Sequence, residues 1–152
     1  MITPKISLIA MPCAALLIGA APAPPVGPAE VLVTVTGLRS DKGVVRACMT
    51  SREDSFPKCR GVTNAYSASV RAHEGRLVLA FENVRPGRYA IALLHDENGN
   101  GKADRALGMM PKEGFGFSRD ASVRMGPPRF EEAAFDLGNG GRAVEIRMRY
   151  ML

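Results

Sequence analysis

The stretch Arg88-Tyr89-Ala90-Ile91-Ala92-Leu93-Leu94-His95 decides the fold. Successive side chains of an extended chain point to opposite sides. Tyr89, Ile91 and Leu93 therefore fall on one face, and Ala90, Ala92 and Leu94 on the other. A strand that is apolar on both faces is central in its sheet. Working outward, Val31, Val33 and Val35 alternate with Leu32, Thr34 and Thr36 until Gly37 breaks the run. After the turn Ser40-Asp41-Lys42-Gly43, residues 43–49 form a second run, and the two together predict a first hairpin. Ser51 to Asp54 has the spacing of a helix start, which predicts one helical turn before Pro57. Residues 66–72 read as a weaker strand. Residues 76–82 read as a clearer one, with Leu77, Leu79 and Phe81 inward and Arg76 and Glu82 outward. Residues 130–137 and 143–150 close the chain as strands. In the last, Val144, Ile146, Met148 and Tyr150 alternate with Glu145, Arg147 and Arg149.

About seven short strands with turn signals between them predict an all-β chain, an antiparallel β-sandwich of the Ig-like class. No helical period and no internal repeat follows residue 30. The 152 residues, 46% hydrophobic and 23% charged, exclude a large multidomain enzyme and wholesale disorder. Residues 30–152 are read as one domain.

The N-terminus has a short basic start ending at Lys5, an apolar run from Ile6 to Ala21, and a tail rich in Ala and Pro. This order predicts a secretory signal peptide over residues 1–29, cut after Ala20 or after Ala29. The run is too short and too interrupted to span a bilayer well, so no transmembrane anchor is expected once it is removed. Cys13 lacks the small preceding residues that lipidation needs. Loss of Lys5 lowers the formal net charge from +5 to +4. Loss of Cys13 leaves Cys48 and Cys59 in an oxidising compartment, and the two are expected to form a disulfide. The expected location is periplasmic or extracellular.

The strongest motif is Asp96-Glu97-Asn98-Gly99-Asn100-Gly101-Lys102-Ala103-Asp104. Its oxygen side chains and glycine match the first nine positions of an EF-hand-type calcium loop. Alternate residues of a curled loop point inward together, and the glycine permits the turn that brings the Lys102 carbonyl onto the ion. The match fails at the twelfth position, which is Leu107, and the flanks are not paired helices. Asp96, Asn98, Asn100, Lys102 (through its carbonyl) and Asp104 are the expected ligands of Ca2+, with Glu113 or water completing the shell. So few charges predict weak binding, on the order of 10⁻⁴–10⁻³ M. The competing reading is a metal-free turn in which Asn and Asp side chains bond their own backbone.

Other groups carry less. His95 is expected to orient the loop rather than to bind a metal, and Gly116-Phe117-Ser118 lacks the second glycine of a hydrolase elbow. Phe115 and Phe117 have two readings, a shallow ligand surface beside the loop or a small packed cluster under it. The arginines are dispersed and read as solvated strand faces, which argues against a nucleic-acid partner. Attraction to an anionic envelope surface stays open.

The stretch from Glu82 to Ala90 is similar to the strand start of prealbumin-like sandwiches. Pro86-Gly87-Arg88-Tyr89-Ala90, the run from His95 to Lys102, the run from Gly108 to Ser118, and Gly126-Pro127-Pro128-Arg129-Phe130-Glu131-Glu132-Ala133 together resemble the bacterial secreted family DUF2141, over about residues 31–150. Met109-Met110 stands where members commonly have Gly-Ile-Pro or similar. The resemblance implies export and a prealbumin-like sandwich of carboxypeptidase-regulatory or transthyretin type. It brings no catalytic residues. Two functions follow for comparison. The first is a non-catalytic secreted module, calcium-stabilised, that binds a protein or envelope partner. The second is a hydrolase-type envelope enzyme using Asp96, Asp104 or Glu113 with His95 nearby.

Overall fold

The computed structural model describes residues 28–106 and 110–152. Most of the segment expected to be a signal peptide lies outside the described residues. The strands are β1 (Ala29–Thr36), β2 (Val44–Thr50), β3 (Tyr66–Arg71), β4 (Leu77–Val84), β5 (Gly87–Asp96), β6 (Arg105–Ala106), β7 (Met110–Pro111), β8 (Gly114–Phe117), β9 (Phe135–Leu137) and β10 (Arg142–Arg147). A short α-helix, α1 (Phe130–Ala133), precedes β9. The turn expected before Pro57 is a 3-10 helix at Glu53–Ser55.

The strands form an all-β sandwich. One sheet has the order β10-β1-β4, and the other β3-β2-β5-β8, with β9 also on β5. β6 and β7 make a separate two-stranded ribbon. The pairings are antiparallel except β1 with β10, which are parallel. Those two strands lie at opposite ends of the sequence, so no tight turn imposes an antiparallel direction.

Val31, Val33 and Val35 of β1 are fully buried and meet Leu77, Leu79 and Phe81 of β4 and Val45, Met49, Ile91 and Leu93 of the facing sheet in one core. Burying each of these aliphatic side chains contributes about 1.5–3 kcal/mol. A one-residue slip would turn all of them outward, so the alternation sets the register. The second face of β5 is covered as well. Ala90 packs in a smaller cluster with Phe117, Phe130, Ala133 and Ala134, with Ala92 at its margin. The two-sided apolar pattern of residues 88–95 thus has a layer on each side.

Three expectations are corrected. β1 and β2 do not form a hairpin: β1 pairs with β4 and β10, and β2 with β3 and β5. The connection between them crosses from one sheet to the other. Residues 130–137 are not one strand but α1 followed by the short β9. The Glu132 carboxylate accepts the Arg129 N–H at 2.7 Å and closes the first turn of that helix. Residues 114–117 are a strand that the sequence reading leaves in a loop.

The last residues stitch the two sheets together. The Met148 N–H donates to the Thr36 carbonyl at 2.7 Å, and the Arg149 N–H to the Phe115 carbonyl at 2.8 Å. Glycine alternation in β8 makes room for this crossing. A Cβ on Gly116 would stand 2.8 Å from Ile146 Cγ2, and one on Gly114 would stand 2.4 Å from Tyr150 Cε1. The sulfurs of Cys48 and Cys59 are 2.12 Å apart, at disulfide distance. They tie the segment after β2 onto the outer face of its sheet. Closing so short a loop contributes about 3 kcal/mol in the chain-entropy treatment.

Candidate cation-binding loop

β5 delivers Asp96 to the end of the sandwich with its side chain fully buried. His95 pairs with Gly114 across to β8, so the next residues along, Asp96 and Glu113, are neighbours on adjacent strands. The backbone is held at the same point from the other side. Gly43 (φ 68°) lies so close that a Cβ there would fall 2.0 Å from the Asp96 carbonyl oxygen. Only glycine combines that approach with a positive φ.

The loop then curls around its own side chains. Asp96 Oδ1 accepts the Asn100 N–H at 3.0 Å, and Oδ2 accepts the Gly101 N–H at 2.8 Å. Asn98 Oδ1 accepts the Asn100 N–H and Asn100 Oδ1 the Lys102 N–H. The two amide nitrogens turn to Asp104 Oδ2, at 2.7 Å from Asn98 and 2.9 Å from Asn100. Glu113 Oε2 accepts the Asp104 N–H at 3.2 Å. Asp96, Asn98, Asn100, Asp104 and Glu113 are therefore brought together. Among the described residues no three His, Cys, Asp or Glu side chains could hold a metal by themselves, so amide and carbonyl oxygens would have to complete any site.

One polar atom is left over. Glu113 is 5% exposed, and its Oε1 has no hydrogen-bond partner. Burial raises the Glu113 carboxyl above its ordinary range; the backbone N–H groups of Asp104 and, more weakly, Glu97 oppose this, and the nearby charges of Asp96 and Asp104 add to it. Burial also acts to raise Asp96, but Arg46 and the backbone N–H of Gly101 outweigh it and hold that carboxyl low.

Two of the arginines expected on solvated faces reach the site. Arg46 Nε donates to Asp96 Oδ2 at 2.7 Å. Arg60, next to the buried Cys59, donates to the Gly101 carbonyl. Arg46 shares a period-2 strand with Cys48, so its face was readable, but its partner was not.

A family model described as an uncharacterized protein conserved in bacteria (DUF2141) matches residues 33–145. The chain belongs to the DUF2141 family. No curated protein and no solved structure gave a significant match. The matched span of the DUF2141 domain contains the loop, Glu113 and both cysteines.

The remaining candidates in the DUF2141 domain are engaged in internal contacts. His95 is fully buried, with Nε2 at 2.8 Å from the Lys42 carbonyl and Nδ1 at 2.7 Å from the Tyr150 hydroxyl. A carbonyl only accepts, so in the neutral ring Nε2 carries the hydrogen and Tyr150 donates to Nδ1. Both ring nitrogens are thus used. Ser118 Oγ accepts the Ile91 N–H at 2.9 Å and donates to the Ala133 carbonyl at 2.6 Å, deep inside the protein. Phe117 is buried edge-on to Phe56, with ring centroids 5.9 Å apart, and Phe115 is half-buried beside it. These contacts are those of the packed cluster. Two open depressions of about 460 and 450 Å³ lie elsewhere, one around Glu30 and Arg142 and one around Gly37 and Tyr150. Neither is lined by a residue of the loop.

Proposed function

We propose that this DUF2141 domain is an exported, non-catalytic module whose 96–104 loop takes up a calcium ion and which acts by binding a component of the cell envelope. Export is supported by the basic, apolar and small-residue order of residues 1–29 and by a cysteine pair at disulfide distance. Among the described residues no helix is long and apolar enough to cross a membrane. Ala29 of β1 is 3% exposed and pairs with Val84 of β4. Cleavage after Ala20 keeps that contact, and cleavage after Ala29 removes it.

The observation that carries the calcium reading is the unpartnered Oε1 of Glu113, buried beside Asp96 and Asp104. A buried carboxylate oxygen with nothing to bond is costly. A hard cation is the ligand class that satisfies carboxylate, amide and carbonyl oxygens together. Uptake requires the Asn98 and Asn100 amides to leave Asp104 and present oxygen. That rearrangement keeps binding weak, on the order of 10⁻⁴–10⁻³ M.

Calorimetric titration with calcium, and thermal melts in calcium and in chelator, test the reading. At ten times the dissociation constant the expected stabilisation is about 1.4 kcal/mol. Absence of calorimetric binding together with an unchanged melting curve at ten millimolar calcium, on the order of ten times the weakest expected constant, would overturn it.

A further inference from the structure

The end of the sandwich that bears the loop gathers two kinds of exposed side chain. The connections following β1, β3 and β5 and the residues after β10 all emerge there, because Val44 pairs with both Asp96 and Arg71, and Thr36 pairs with Arg147. Lys42, Lys102, Arg105 and Lys112 come from two of these connections and are exposed. None of the four forms an ion pair among the described residues. Of the acids at this end Asp96 is paired with Arg46 and Glu97 with Arg39, while Asp41, Glu74, Asp104 and Glu113 form no ion pair among those residues. Arg71, Arg76 and Arg147, exposed at the same strand ends, keep the basic side chains in excess. At the same end Met110 is 41% exposed, Met151 46% and Leu152 56%. Arg39 ties the last residue to the bend between β7 and β8, since its guanidinium donates to the carbonyls of both Lys112 and Leu152. It also stacks on the Tyr150 ring at 4.4 Å.

We propose that this end docks on an anionic phospholipid surface, the basic side chains meeting the headgroups and Met110, Met151 and Leu152 entering the interface. Flexible, unpaired lysines and an arginine suit a fluid array of phosphates, which needs no fixed partner geometry. Exposed apolar side chains among them gain by leaving water at the acyl boundary. The proposal specifies the envelope partner of the function above. It does not require the ion, so it is tested in chelator, where failure of the calcium reading has no effect on the outcome.

The experiment is co-sedimentation of the full mature chain with vesicles of phosphatidylcholine alone and of phosphatidylcholine with one third phosphatidylglycerol, across a salt series. Binding is expected only to the anionic vesicles and is expected to fall steeply with salt. Each basic side chain near such a surface is worth about fivefold in affinity, so Lys112→Glu is expected to lower it by about tenfold or more. Arg85→Glu, in the exposed turn at the opposite end, is expected to change it less than about twofold. Met151→Ser/Leu152→Ser is expected to weaken binding further while leaving the salt slope unchanged. Circular dichroism confirms that each variant is folded, and the wild-type arm stands alone if one is not. Absence of binding at low salt, equal binding to neutral vesicles, or an Arg85→Glu loss as large as that of Lys112→Glu would overturn the proposal. Tighter binding to soluble polyglutamate than to vesicles would also overturn it, in favour of an acidic protein partner.

Discussion

Arg46 Nε lies 2.7 Å from Asp96 Oδ2, so a guanidinium already stands on the first carboxylate of the oxygen-rich loop. Asp96 is fully buried and Arg46 is partly open to water. In the ion-free protein the arginine supplies the charge that a cation would otherwise supply. Replacing it by Met is expected to have two opposite effects. The calcium-free protein should lose about 2–3 kcal/mol, because a buried carboxylate keeps only its backbone partners. Calcium affinity should rise on the order of fivefold or more, because a like charge next to the ion is gone. Urea melts in chelator and calorimetry measure the two effects separately. A variant with unchanged affinity would mean that Asp96 is not a ligand.

Glu113 gives the complementary case. Its raised carboxyl pKa has burial as its main cause, with the charges of Asp96 and Asp104 adding. Glu113→Gln removes that charge and keeps an oxygen for the Asp104 N–H. The calcium-free variant should gain about 1 kcal/mol. It should also lose most of its response to calcium, since a charged ligand has been removed. Melting curves with and without calcium check both signs, and a variant that keeps the full calcium response would exclude Glu113 from the shell.

Glu97 predicts acid sensitivity. The Arg39 guanidinium, bonded to both of its oxygens, holds its carboxyl down to about 2 from 4.5; burial opposes this, and the Ser40 hydroxyl and the charge of Arg39 support it. A folded-state pKa below the unfolded one contributes stability in full above pH 4.5 and loses it as pH falls toward 2. The side chain is 20% exposed, so solvent screens part of the effect. Glu97→Gln is therefore expected to cost about 1 kcal/mol at pH 7 and to flatten the fall in stability between pH 4.5 and 2. Urea melts at pH 7, 4.5 and 2.5 test this. Equal slopes for the two proteins would contradict it.

Much of this arrangement was legible in the sequence, and the illegible parts share one cause. Alternation reports which face of a strand is buried, so Val31, Val33, Val35 and the two-sided run of β5 read correctly. Alternation does not report the partner strand, so β1 and β2 looked like a hairpin although they lie in different sheets. The spacing of Asp96, Asn98, Asn100 and Asp104 placed the loop, because a loop curled on itself is a local object. Arg46 and Arg60 reach it from 50 and 41 residues away, which no local pattern encodes. Lys42 and Lys112 likewise lie far apart in the sequence, and the stacking of strand ends brings them to one end of the sandwich.

β8 was missed because half of its side chains are absent: its sequence is Gly-Phe-Gly-Phe. The glycines lie under Ile146, Met148 and Tyr150, and the phenylalanines face the outer cluster. This division of labour predicts three unequal costs. Phe117→Ala removes a buried ring that packs against Phe56 and should cost about 3–4 kcal/mol. Phe115 is half-buried, so Phe115→Ala should cost about half as much. Gly116→Ala forces a methyl against Ile146 and the Arg147 carbonyl and should cost about 1–3 kcal/mol, although alanine is otherwise the better strand residue. Denaturant melts of the three variants decide the matter. If Phe115→Ala costs as much as Phe117→Ala, or Gly116→Ala is neutral, the C-terminal residues do not cross β8 on its glycine face.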